Sequence, residues 1–148
     1  MTSWKYIPIE VVPLAAPAVK RALTTLGSPD PKIRQGSPAK AGPVVTDNGN
    51  WIIDAPFGAL LIPSDLESGK TDGNGKDGVW EVNALGLKIK KIVGVLEVGL
   101  FHGRNGAQIA ASNEEGGGQK PVAAYFGLEN GEVEIREARE IARVKSIS

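Results

Sequence analysis

The chain has no cysteine, a single histidine (His102) and no net charge. Without cysteine there is no disulfide, no thiolate nucleophile and no sulfur ligand for a metal. That suits a reducing compartment, and a cytoplasmic location is expected. Lysine plus arginine and aspartate plus glutamate both total 17, so no net field draws the chain to nucleic acid or to an acidic membrane. Neither partner is expected. No apolar run approaches the ~20 residues that a membrane helix needs. The opening MTSWKYIPIE lacks a charged segment followed by an apolar one, so a secretory signal is not expected.

What is present is ordinary for a folded protein. At 148 residues the chain suits one domain, or a small domain with appendages. Such a length buries roughly 70% of the unfolded surface. Apolar residues at 41% and charged residues at 23% fit a globular composition. With 19 glycines and 10 prolines, much of the length must be loop.

Hydrophobic periodicity supplies the elements. Ile7–Val12 is a β-branched run and reads as a strand, edged by Pro8. Pro13 opens a helix whose apolar stripe is Leu14, Ala18, Val19, Ala22, Leu23 and Leu26. Pro17 fits only in the first turn, so regular helix begins near Ala15 or Ala16, and Gly27 with Ser28-Pro29 ends it. Ile33–Gly36 is a candidate short strand. Pro43–Thr46 and Trp51–Ala55 face each other across Asp47-Asn48-Gly49-Asn50, where Asn-Gly supplies the positive φ of a tight hairpin turn. Phe57–Gly78 begins apolar and becomes SDLESGKTDGNGKDG, read as a surface excursion with little structure of its own. Asp77 is the expected N-cap of a helix in which Val79, Val82, Leu85, Ile89 and Ile92 share one face. Lys88–Lys91 is its wet side. Gly94 closes that helix and Val95–Phe101 follows as a buried strand. His102–Lys120 reads as a Gly- and Ser-rich loop with a mobile Gly116-Gly117-Gly118. Val122–Gly127 and Glu132–Arg136 form a second hairpin across Glu129-Asn130-Gly131, before a charged tail over Arg139–Lys145. The order predicts an α+β fold, a ferredoxin-like split βαβ layer (βαββαβ) with a C-terminal β-hairpin.

Several short motifs invite a function and fail on chemistry. Gly69-Lys70-Thr71 resembles the end of a phosphate loop, but Ser64 stands where the first glycine belongs and Asp65 and Glu67 repel phosphate. Gly73-Asn74-Gly75-Lys76-Asp77-Gly78 matches GxGxxG ahead of a helix, with Glu97 at the spacing of a ribose-binding acid. No strand precedes it, and Asp77 sets a carboxylate against the pyrophosphate. Asp72-Gly73-Asn74 starts like a calcium loop and fails at Lys76, Asp77 and Asn83. His102 has no cysteine to complete a metal site and no clear Ser or Asp partner for nucleophilic catalysis. Asp47 and Asp54 are the best-placed acids, yet Asp47 suits the turn and Asp54 the end of the returning strand. Trp4, Trp51 and Trp80 read as core or interface anchors. No catalytic, substrate-binding or metal residue is assigned, and no cofactor is expected.

The wording KAGPVVTDNGN-W-IID at Lys40–Asp54, with IPIEVVPLA at Ile7–Ala15 and GVLEVGLF at Gly94–Phe101, resembles the C-terminal part of type A ribose-5-phosphate isomerases. The likeness runs from about Trp4 to Glu137 and is thinner in YFGLENGEVEIRE at Tyr125–Glu137. Phe57–Gly78 and His102–Pro121 depart from the family and look like insertions. The resemblance implies an aldose–ketose isomerase of the pentose phosphate pathway. It interconverts ribose 5-phosphate and ribulose 5-phosphate through an enediol, with a glutamate shuttling the proton. The family's catalytic and phosphate-binding segments resemble TGST, DGADE and KGGGG, and none occurs in this sequence. No site residue is therefore carried over, and this chain alone is expected to be inactive. Residues 1–101 are expected to be the small lid and assembly domain with a loop insertion at 57–78. Residues 102–121 would be a loop, 122–137 a hairpin returning to a large domain absent here, and 138–148 a tail. A homo-oligomer through the small domain is expected, with pentose phosphate bound only by the intact enzyme. Two other readings stay open: a non-catalytic dimerisation or assembly module, and an independent ferredoxin-like domain binding a small ligand.

Overall fold

A computed structural model describes residues 5–37, 41–67, 69, 71–112 and 118–137. Trp4, Lys70, Gly116-Gly117 and the tail from residue 138, all singled out in the sequence, lie outside the described residues. Two compact units divide the chain, Met1–Leu100 and Phe101–Ser148. Helices and antiparallel sheets together make it an α+β protein.

In the first unit, β1 (Ile7–Val11) is the axis of a four-stranded sheet ordered β2-β3-β1-β4. The others are β2 (Lys32–Ile33), β3 (Trp51–Ala55) and β4 (Val95–Val98). β1 pairs antiparallel with β3 on one side and β4 on the other, and β2 pairs antiparallel with β3. Side chains alternate faces along a strand. Ile7, Ile9 and Val11 are buried, while Pro8 and Glu10 point to the half-buried opposite face. Two helices cover the buried face. After a 3-10 turn at Pro13–Ala15, α1 (Ala16–Thr25) contributes Ala16, Val19 and Leu23. Further on, α3 (Val82–Lys90) contributes Leu85 and Ile89. With Ile53, Ala55, Trp80, Val98 and Leu100 these form one apolar cluster.

The end of α1 follows the sequence reading. Ser28 N–H bonds the Leu23 carbonyl at 3.0 Å and Gly27 N–H bonds that of Thr24 at 2.9 Å, which is a Schellman motif. The first arm of the central hairpin is looser than expected. Pro43 and Val45 make only isolated bridges, to Gln35 and Trp51, because this arm divides its pairing between two neighbours. The turn is held by Thr46 and Asn50, whose backbones pair at 2.9 Å, and no bond from the Asp47 side chain is found among the described residues.

Two loop expectations are corrected. Phe57–Gly78 contains a turn of helix, α2 (Pro63–Leu66), where the Asp65 carboxylate accepts the Ile62 N–H at 2.8 Å. It is tied down by bridges Leu61–Glu81 and Asn74–Trp80. Its GxGxxG glycines serve packing. A Cβ on Gly73 would lie 2.7 Å from the Glu81 Cβ, and one on Gly75 would lie 2.1 Å from the Trp80 ring. Asp77 is not the cap of α3. It takes a left-handed φ of 57° in a 3-10 turn, and Glu81 caps the helix by accepting the Ala84 N–H at 3.0 Å.

In the second unit, α4 (Gly106–Ser112) occupies part of the segment read as loop. Asn105 and Gln108 explain it: Asn105 Oδ1 accepts the Gln108 N–H at 2.8 Å and Gln108 Oε1 accepts the Asn105 N–H at 3.0 Å, a reciprocal capping box. The hairpin expected here is present as β5 (Ala123–Gly127) and β6 (Val133–Glu137), a separate two-stranded sheet.

Gly75→Ala should lower stability by about 2 kcal/mol or more, since strain at φ +87° adds to collision with the indole. Gly42→Ala is the control, with φ +96° and nothing within 4 Å of the added carbon. It should lose only the backbone cost of about 1 kcal/mol. Urea midpoints of the two variants measure the difference.

Candidate functional site

The sheet face not covered by helices gathers most of the polar chemistry. Register places Asp54 opposite both Pro8 and Lys32, and Glu10 opposite both Ile52 and Glu97. Arg34, just beyond β2, reaches Asp54 with two parallel bonds, Nε to Oδ2 at 2.9 Å and Nη2 to Oδ1 at 2.5 Å. This planar fork is the strongest geometry available to a guanidinium and a carboxylate. The bond to Asp54 raises the Arg34 pKa, and partial burial opposes that rise. At the strand's other end, Glu10 Oε1 accepts the Thr46 hydroxyl at 2.7 Å and the Asn50 amide at 3.1 Å. Lys32 salt-bridges Asp30 at 2.8 Å, which raises its pKa through the hydrogen bond first and charge second.

Beside the fork lies an open groove of about 350 Å³ lined by Tyr6, Asp30, Lys32, Arg34, Asp54 and Pro56. Its charges are neutralised in pairs. A carboxylate gripped by a guanidinium is a poor general base, and a guanidinium does not give up its proton. The fork is therefore suited to a structural role and not to moving protons.

The residues weighed in the sequence do not converge. Asp47 sits at the hairpin turn and Asp54 near the far end of β3, inside the strand, where it holds Arg34. His102 Nδ1 is buried without a partner among the described residues. Trp80 is core, with its indole N–H donated to the Leu26 carbonyl at 2.8 Å, and Trp51 packs against the core. Asp72 Oδ1 accepts the Asn74 N–H at 3.0 Å, an Asx turn that uses up the start of the calcium-like motif. Among the described residues no three His, Asp or Glu side chains gather to hold a metal. No helix of the described residues is long and apolar enough to cross a membrane. Glu10, Thr46, Asn50 and Arg34 were missed as a group because their partners lie 20 to 40 residues away in sequence.

Comparison with known proteins gives a consistent result. The family model described as Ribose 5-phosphate isomerase A (phosphoriboisomerase A) matches residues 2–116. A ribose-5-phosphate isomerase of Schizosaccharomyces pombe is 39% identical over 136 residues, covering 91% of this chain and 37% of its own length. That of Cryptococcus neoformans is 41% identical over 144 residues, covering 91% and 36% respectively. Among solved structures, ribose 5-phosphate isomerase A of Methanocaldococcus jannaschii superposes with a TM-score of 0.60 at 28% identity, covering 93% of this chain and 44% of its own. A D-ribose-5-phosphate isomerase in complex with phospho-erythronic acid gives 0.59 at 26% identity, with the same coverage. The chain thus spans little more than a third of the length of these curated relatives.

Arg34→Met should cost about 1 kcal/mol, because the fork is partly exposed, 41% at Arg34 and 20% at Asp54, and so partly screened. The guanidinium's raised pKa contributes stability that is fully present below its ordinary range and lost only as pH rises through the strongly alkaline value. The difference from the parent should therefore be flat across neutral pH and shrink with added salt. Denaturant titrations at several pH and salt values check both expectations.

Proposed function

The chain belongs to the ribose 5-phosphate isomerase A family, and from that premise we propose that it is the C-terminal portion of such an isomerase, inactive by itself. In this reading residues 1–101 are a lid and assembly layer, 102–121 a connecting segment and 122–137 a hairpin that docks on a large domain outside this chain. The reaction is interconversion of ribose 5-phosphate and ribulose 5-phosphate through an enediol, in the pentose phosphate pathway and the cytoplasm. Its catalytic and phosphate-binding groups belong to the other half. One observation carries the reading. Similarity covers nine-tenths of this chain and just over a third of its relatives, while TGST, DGADE and KGGGG occur nowhere in it.

Two features of the fold support it. The strand order β2-β3-β1-β4, with α1 following β1 and α3 following β3, favours a ferredoxin-like split βαβ layer. The groove on the polar face of that layer is lined by charges already paired, Lys32 with Asp30 and Arg34 with Asp54, as a lid allows and a proton-transfer site does not. Ribose 5-phosphate incubated with purified chain should give no ribulose 5-phosphate above the blank. Turnover above the blank overturns the claim that the machinery is elsewhere.

A second reading is a non-catalytic assembly module that pairs with itself or with an intact isomerase. The sequence predicts pairing through the small domain, but the uncovered apolar face that supports the reading lies on the hairpin. Register puts Tyr125 opposite Ile135 and Gly127 opposite Val133, all on one face. Tyr125, Val133 and Ile135 are 70%, 58% and 54% exposed. On the other face Arg136 stacks 4.9 Å over Phe126 and bonds Glu134 at 2.7 Å, which covers that ring in part. A two-stranded ribbon is marginal in water unless its apolar face is covered. Tyr125→Ser/Ile135→Ser should therefore reduce concentration-dependent association in light scattering, and weaken capture by a full-length isomerase. A chain that stays monomeric and ignores that partner without any substitution removes the assembly reading.

A further inference from the structure

We propose that both edges of the four-stranded sheet are closed to strand addition by the chain's own side chains, and that Lys90 and Glu97 guard the β4 edge against pairing with a second copy. An edge strand presents unpaired N–H and C=O groups that template another strand. Just past β4, Gly99 N–H turns inward to the Pro8 carbonyl at 2.8 Å. Because successive residues alternate direction, the Val98 N–H faces outward. There it is taken by Glu97 Oε1 at 2.9 Å. The register passes from Val11–Val95 to Glu10–Glu97, so Leu96 is a bulge residue with no cross-strand partner. Its carbonyl is taken by the Lys90 ammonium, which also holds Glu97 Oε2 at 3.0 Å. One ion pair thus occupies an acceptor and a donor of the same edge.

The opposite edge is built on the same logic. Arg34 N–H points inward to the Ile52 carbonyl at 2.8 Å, so its neighbour Ile33 faces outward. The Ile33 carbonyl is taken by Gln35 Nε2 at 3.0 Å. β2 is only two residues long, and Pro31 just before it has no N–H to offer. The occupant excluded at β4 is a second β4. Antiparallel pairing about a twofold axis brings identical segments together, and this segment, Val95-Leu96-Glu97-Val98, is mostly β-prone once its charge is gone.

The test is a gain of association. Lys90→Met/Glu97→Leu is made in the Tyr125→Ser/Ile135→Ser background, so that the hairpin contributes nothing. Sedimentation should show a new dimer, with self-association tightened about tenfold or more. Amide exchange over residues 95–98 should slow as that dimer fills. Lys90→Arg, which keeps a donor for the Leu96 carbonyl, should behave as the parent. Unchanged mass, or new association without slowed exchange at 95–98, overturns the proposal. If the double variant loses its circular dichroism, Lys90→Gln is read by the same two criteria.

Discussion

One indole holds the first unit together. Trp80 donates to the Leu26 carbonyl at the end of α1, seats its ring where Gly75 has no side chain, and pairs by a bridge with Asn74. Its neighbour Glu81 then caps α3. The exit of one helix, the return of a long excursion and the start of the second helix are thereby fixed in one place. A ring of this size removes a large apolar area from water, and its N–H must find an acceptor when buried. The carbonyls at the end of α1 need donors in turn. Each requirement answers the other.

That arrangement explains which parts of the fold were legible. The helix after Pro13 declared itself through its stripe and Gly27, and both hairpins through Asn-Gly, because these signals act within a few residues. The start of α3 did not, since Glu81 is chosen as cap by where Trp80 packs, and that is decided across 54 residues of sequence. Asp77 carries the better cap chemistry and sits instead in a left-handed turn. The helix at Gly106–Ser112 was a different kind of miss. Asn105 and Gln108 spell a capping box in the sequence, hidden by the glycines around them.

The polar face of the sheet was illegible for the same physical reason. Asp54 could be weighed only as a lone acid until the chain brought Arg34 to it, and Glu10 acquired its role only when the hairpin placed Thr46 and Asn50 beside it. Family wording reached the right segments without saying what their side chains do. Pro43–Asp54 contributes a turn clipped to β1 and an aspartate clipped to Arg34. Both are devices for rigidity.

Rigidity on one unit sharpens the meaning of exposure on the other. In the sheet of the first unit, outward carbonyls at Ile33 and Leu96 and the outward amide of Val98 are each satisfied by a side chain. The hairpin of the second unit leaves Tyr125, Val133 and Ile135 in water on one face while its other face carries a cation–π contact and an ion pair that cover Phe126 in part. A sequence that blocks polar edges in one unit yet leaves an apolar face uncovered in the other treats the two surfaces differently. Burying apolar area is worth about 25 cal/mol per Å², so an uncovered ribbon face is costly to leave exposed. The simplest arrangement that removes the cost is an apolar surface set against Tyr125, Val133 and Ile135, and that is the requirement on which the proposed docking of the hairpin rests.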